Sequence, residues 1–132
     1  MTKIFTLKKR KDFLRVASGF HIATYNMVLQ ATQSVSDSKD IFVGYTATKK
    51  VGKAVVRNKC KRRLRALVSE ILNNYALPNV DYVFIARNST AVCKFADLKR
   101  DAVYALKKIN KNFLSSDTDN ITDTGAIHEN VS

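Results

Sequence analysis

Lys49 to Arg65 reads KKVGKAVVRNKCKRRLR. Nine of these seventeen residues are Lys or Arg and none is acidic; between Arg57 and Arg65 only Asn58, Cys60 and Leu64 interrupt the charge. The interruptions set the geometry. Val56, Cys60 and Leu64 continue into Leu67, Val68 and Ile71, and at about 100° per residue they gather into one narrow helical stripe. Arg57, Lys61 and Arg65 stack on the neighbouring stripe, with Asn58 and Arg62 beside them. The segment predicts a helix from about Gly52 to Asn74 that buries Val, Cys and Leu and holds its cations outward. No Ser, Thr or Asp stands beside its start, so Gly52 is the expected N-cap, with free N–H groups that suit a phosphate.

Solvated charged faces normally mix signs, because Glu and Lys one turn apart stabilise each other by roughly 0.3 kcal/mol and like charges cost as much. Here the only nearby acid is Glu70, and unrelieved repulsion calls for a polyanionic partner. A membrane-surface helix would carry bulky apolar residues opposite its charges; Val, Cys and Leu suit a protein core instead. Nucleic acid is the expected partner. The whole chain agrees: 132 residues, net charge +12. Residues 1–114 hold all 23 bases and seven of the 11 acids, a net of +16, whereas 115–132 hold four acids and no base. Two divisions follow, a nucleic-acid-binding domain over 1–114 and an acidic, polar tail over 115–132 that is expected to be disordered. Cys60 and Cys93 form no Cys-x-x-Cys pattern and His21 and His128 have no ligand-like neighbours, so neither a disulfide nor a metal site is expected. No apolar run reaches membrane-span length, which predicts an intracellular, soluble chain.

The remaining elements follow from periodicity. A basic opening and then Phe13, Val16 and Ala17 predict a short first helix stopped at Gly19. Phe20 to Thr32 alternates as one long strand, or a split one, with Ala23, Tyr25, Met27, Leu29 and Ala31 towards a core. Thr24, Asn26, Val28, Gln30 and Thr32 form a polar face open to a ligand. A turn at 34–40 leads to a strand over Ile41 to Thr48, in which Gly44 hints at a bulge or a close backbone approach. Asp81 to Arg87 (DYVFIAR) is apolar enough for the centre of a sheet, and Phe95 to Leu114 is an amphipathic final helix. The order α-β-β-α-β-α is that of an α+β or split α/β sandwich.

Three stretches resemble the bacterial ribonuclease P protein component. Phe42-Val43-Gly44 leads into Lys49-Lys50-Val51-Gly52-Lys53-Ala54-Val55-Val56-Arg57-Asn58, then Lys61-Arg62 and Arg65. This is similar to that family's Lys-Lys-x-Gly-x-Ala-Val turn followed by Arg-Asn-Arg, Lys-Arg and a further Arg on a helix. Asp12-Phe13 resembles its first helix, and Asp81 to Arg87 its last strand. Lys59 replaces the second Arg of the triplet, exchanging a planar bidentate donor for a point charge. Ala17 stands where a second aromatic is frequent, and Gln30 where some members have one.

The resemblance implies a compact αβββαβα sandwich like domain 2 of ribosomal protein S5, with a left-handed βαβ crossover that general handedness rules would not suggest. It implies a cytoplasmic protein subunit of an endoribonuclease, one protein per RNA, assisting removal of the 5′ leader from precursor tRNA. On that pattern Lys53, Arg57, Asn58, Lys59 and Arg62 meet the catalytic RNA. Phe13, Val28, Gln30, Thr46, Arg57, Lys61 and Arg65 line a cleft for the single-stranded leader. Basic walls with apolar platforms are what single-stranded RNA requires. The chain's own acids are scattered, and no His lies near the basic helix. Hydrolysis of a phosphodiester calls for paired carboxylates or a placed base, so the chemistry is expected to reside in the RNA and its Mg2+. The alternative is a stand-alone or ribosomal RNA-binding protein. No Gly-x-x-Gly or Gly-x-x-x-x-Gly-Lys occurs to support a KH or P-loop module.

Overall fold

The computed structural model describes residues 3–35 and 39–114. In chain order it contains β1 (Ile4–Thr6), α1 (Arg10–Ala17), β2 (Phe20–Ala23), β3 (Met27–Gln33), β4 (Ile41–Thr46), a 3-10 turn (Lys49–Val51), α2 (Ala54–Tyr75), β5 (Val80–Ala86) and α3 (Phe95–Leu114). The strands form one sheet in the order β1-β4-β5-β3-β2. The apolar run DYVFIAR therefore supplies the middle strand. β5 pairs with β4 in parallel and with β3 antiparallel, and α2 makes the β4-to-β5 crossover. From α1 onward the order is αβββαβα; the short edge strand β1, parallel to β4, precedes it.

Alternation divides the sheet into two unequal faces. Met27, Leu29 and Ala31 of β3, Ile41 and Val43 of β4, and Val80, Tyr82 and Phe84 of β5 point to the first face. They pack against Cys60, Leu64, Leu67, Val68, Ile71 and Leu72 of α2 and against Leu98, Ala102, Ala105, Leu106 and Ile109 of α3. Each fully buried Leu, Ile or Phe is worth about 1.5–3 kcal/mol, so this face dominates stability. Its polar members are paired. The Tyr82 hydroxyl donates to Asn110 Oδ1 (2.6 Å) and accepts from the Leu77 N–H (2.9 Å), which ties the end of α2 to α3. Burial pushes the Tyr82 pKa up to about 12.

The second face has one short helix. α1 buries only Val16 fully, against Leu7 and Val83, with Phe13, Phe42 and Ile85 packed alongside. Gly44 allows the fit: a Cβ there would stand 2.5 Å from the Phe13 ring. The ladder runs unbroken through the Gly44–Val83 pair, so Gly44 marks the approach of an aromatic ring, not the bulge or backbone contact expected of it. α1 is also fastened electrostatically. Arg15 Nη2 donates to Asp81 Oδ2 at 2.6 Å beneath the helix, and Nη1 reaches the Gln33 carbonyl at 3.2 Å.

Phe20 to Thr32 takes the split form of the two read from the sequence, because Thr24 turns the chain: its N–H and its hydroxyl both donate to the Met27 carbonyl, each at 2.8 Å. Other sequence expectations change. Asn26 is consequently buried, not part of the open face; Tyr25 is exposed, not in the core, and so is Ala23, which pairs with Val28 on the open face. β4 ends at Thr46, and α2 begins at Ala54 with Lys53, extended and without a side-chain cap bond, as its N-cap in place of Gly52. The expected tail over 115–132 lies outside the described residues, as does part of the turn at 34–40. Among the described residues no helix is long and apolar enough to cross a membrane.

Removing Arg15 would leave the buried Asp81 carboxylate without its cation. Arg15→Ala should lower unfolding free energy by roughly 2–3 kcal/mol, below the full range for a buried pair because Arg15 is partly exposed. Urea unfolding measures this; an unchanged midpoint would show that the pair does not anchor α1.

Candidate nucleic-acid interface

The basic helix sorts its charges by depth. Lys53, Asn58, Lys59, Arg62 and Arg65 are exposed, whereas Arg57, Lys61 and Arg63 are half-buried. Helical spacing places Asn58, Lys59 and Arg62 on the outward side, opposite the stripe of Cys60, Leu64 and Leu67. Arg57 folds back, donating from Nη1 to the Gly52 carbonyl at 2.9 Å. Gly52 has φ of 150° and a Cβ there would press on Val56 at 3.0 Å, so the turn before α2 needs a glycine on both counts. Arg65 lies over the Tyr45 ring, 5.5 Å from its centroid. Burial raises the Tyr45 pKa, partly offset by that guanidinium.

Arg63 is different in kind. Nη1 donates to the Thr90 carbonyl (2.6 Å) and Nη2 to the Cys93 carbonyl (2.7 Å), and the guanidinium stands 6.0 Å from the Phe95 ring centroid. It closes the loop between β5 and α3. A charge run gives no signal that one of its members serves the fold.

The sheet's second face carries the other group. Register puts Ala23, Val28, Ile85 and Thr46 in one row across β2, β3, β5 and β4. The next row is His21, Gln30, Val83 and Gly44, with Phe13 lying on Gly44. α1 covers the rows nearer Asp81. Val28, Gln30, Ile85 and Thr46 are left only half-buried beside Phe13. The structure thus brings Phe13, Val28, Gln30 and Thr46 together. Ile85, at the centre of that row, is an addition; it was readable once DYVFIAR is set between the other two strands. Arg57, Lys61 and Arg65 belong to α2, which packs on the opposite face, and none of the described contacts joins them to Phe13 or Val28. Chain connection alone brings the start of α2 to the Thr46 end of the strip. Among the described residues no three His, Cys, Asp or Glu side chains cluster as a metal site would require.

Fold and surface together define a nucleic-acid-binding α+β protein, with one fully packed sheet face, one half-open face and a cationic helix. The ribonuclease P family model matches residues 1–110. The ribonuclease P protein component of Caulobacter vibrioides is 42% identical over 104 residues, covering 79% of this chain and 70% of that one. That of Gluconacetobacter diazotrophicus is 45% identical over 103 residues, covering 77% and 88%. The solved ribonuclease P protein of Staphylococcus aureus superposes with a TM-score of 0.67 at 25% identity, over 80% of this chain and 94% of that one. The chain belongs to the ribonuclease P protein family. It is a protein subunit of that ribonucleoprotein, whose work is tRNA 5′ processing.

Arg62 and Arg63 adjoin in sequence and should separate in experiment. Arg63→Ala should destabilise the fold by about 1–3 kcal/mol through its two lost charged hydrogen bonds, and Arg62→Ala by less than about 0.5 kcal/mol. Thermal melts of the free protein check this; equal shifts would contradict the division.

Proposed function

We propose that this subunit holds two RNAs on two surfaces. The outward side of α2, with Asn58, Lys59 and Arg62, and Lys53 just before the helix, binds the catalytic RNA of ribonuclease P. The half-open sheet face, with Phe13, Val28, Gln30 and Thr46, takes the 5′ leader of precursor tRNA as a single strand, and the cationic turn leading into α2 lies at its Thr46 end. One observation carries the second assignment: among the described residues, the strip beside Phe13 is left half-open by a helix too short to roof it. Half-buried apolar and amide groups suit stacked bases, and cations at the strip's end suit phosphates.

The reaction itself is assigned to the RNA. Supporting this, the acids near the basic elements are engaged in structure. Asp81 holds Arg15, Glu70 pairs with Lys99 at 2.9 Å, Asp97 with Arg100 at 3.1 Å, and Asp101 accepts from Asn26. Mg2+ would then be held by the RNA, and the protein's cations would lower phosphate repulsion around it. One protein per RNA, in the cytoplasm, completes the reading. The stand-alone or ribosomal alternative is not favoured by the family match.

The test is binding of precursor and mature tRNA to reconstituted holoenzyme. Arg62→Ala should weaken assembly with the catalytic RNA by about 1–3 kcal/mol. Phe13→Ala should spare assembly and weaken precursor tRNA binding by roughly 1–3 kcal/mol, leaving mature tRNA unaffected. Equal losses for both tRNAs in Phe13→Ala would overturn the leader assignment.

A further inference from the structure

The turn between β2 and β3 is built with more hydrogen bonds than a surface turn needs, and it displays an aromatic residue. Asn26, buried beneath it, receives bonds from two sides. Ser89 Oγ donates to its side-chain oxygen at 2.7 Å and Thr90 Oγ1 to its carbonyl at 2.5 Å. Its own N–H and Nδ2 donate to Asp101 Oδ2 at 3.1 and 3.0 Å. Ser89 Oγ also reaches the Tyr25 carbonyl at 3.1 Å. Arg63 braces the same loop through the Thr90 carbonyl. The backbone of Tyr25 is thereby fixed to α3, to the β5–α3 loop and, through Arg63, to α2.

The Tyr25 side chain is nevertheless 81% exposed, and none of the described ring or cation contacts includes it. Turns favour Gly, Asn, Asp and Ser; a tyrosine held in water on a rigid base contributes nothing to the core. Its position is informative. Tyr25 stands two residues beyond Ala23, the last member of the row that runs through Val28 and Ile85 to Thr46. That row spans three strand spacings, about 14 Å. Arg87, exposed and two residues past Ile85, lies at the same end of the sheet.

We propose that Tyr25 is a second stacking platform, at the far end of the strip from Thr46, for an unpaired base of the same single strand. The inference rests on the leader reading above and extends it. An aromatic face on a preorganised support binds any base, because every base has a π-face and the ring has little entropy to lose. The strongly cationic body supplies the phosphate attraction; a protein partner would instead meet a surface of one sign.

The experiment uses holoenzyme reconstituted with the catalytic RNA and precursor tRNAs whose leaders are lengthened one nucleotide at a time. Tyr25→Ala should weaken binding about tenfold once the leader is long enough to reach the turn, and should leave the shortest leaders and mature tRNA unchanged. Tyr25→Phe should restore binding, and both variants should melt with the parent. A loss that is the same at every leader length, or none at any length, overturns the inference. Phe13→Ala serves as the companion and should weaken binding even with short leaders. Loss there without loss in Tyr25→Ala removes this platform alone. No loss in either variant removes the leader reading as well.

Discussion

A sheet has two faces, and burying both is the constraint around which this chain is arranged. Two helices of 22 and 20 residues cover the first; among the described residues an eight-residue helix is the helix that lies over the second. The imbalance fixes the rest. Because β5 is central, its inward residues Tyr82 and Phe84 and its outward residues Val83 and Ile85 both require partners. α1 satisfies Val83 with Val16 and Phe13 and stops short of the row through Ile85. The helix keeps this position through few contacts, notably the Phe13 ring on Gly44 and Arg15 on the buried Asp81. A longer α1 would have given a more stable protein with no strip to offer.

Charge follows from the same arrangement. α2 must bury one stripe in the first face, so its Lys and Arg residues are forced to the surface at fixed angles. Exposed cations in that number repel one another, and a polyanion relieves the repulsion. Not every base is free for that role. Arg63 closes a loop and Arg57 folds onto the turn before the helix, so the exposed Asn58, Lys59 and Arg62 are the side chains α2 leaves unengaged for an RNA.

Much of this was legible in the sequence. The α2 stripe, the central position of DYVFIAR and the amphipathic α3 follow from period and composition, because burial enforces them. What escaped was decided by pairing between distant segments. Alternation allowed a split between Phe20 and Thr32 without placing it: the break at Thr24–Asn26 is made locally by Thr24 on the Met27 carbonyl and held by Asp101 and Ser89, more than sixty residues away. β1 is three residues long and exists because β4 offers an edge. Gly44 announced a close approach but not that a phenylalanine made it. The candidate site divides likewise: strand parity gave Val28, Gln30 and Thr46 one face, whereas the separation of Arg57, Lys61 and Arg65 onto the other side of the sheet needed three dimensions.

The central claim is that single-stranded RNA enters on the sheet's half-open face, separately from the outward side of α2. Backbone and methyl resonances of isotope-labelled protein, followed while a short leader-sequence oligoribonucleotide is added, test it most directly. The account predicts shifts concentrated at Phe13, Val28, Gln30, Thr46 and Ile85, with Asn58, Lys59 and Arg62 little changed. Shifts confined to those three α2 residues, or spread evenly over the cationic surface, would contradict it.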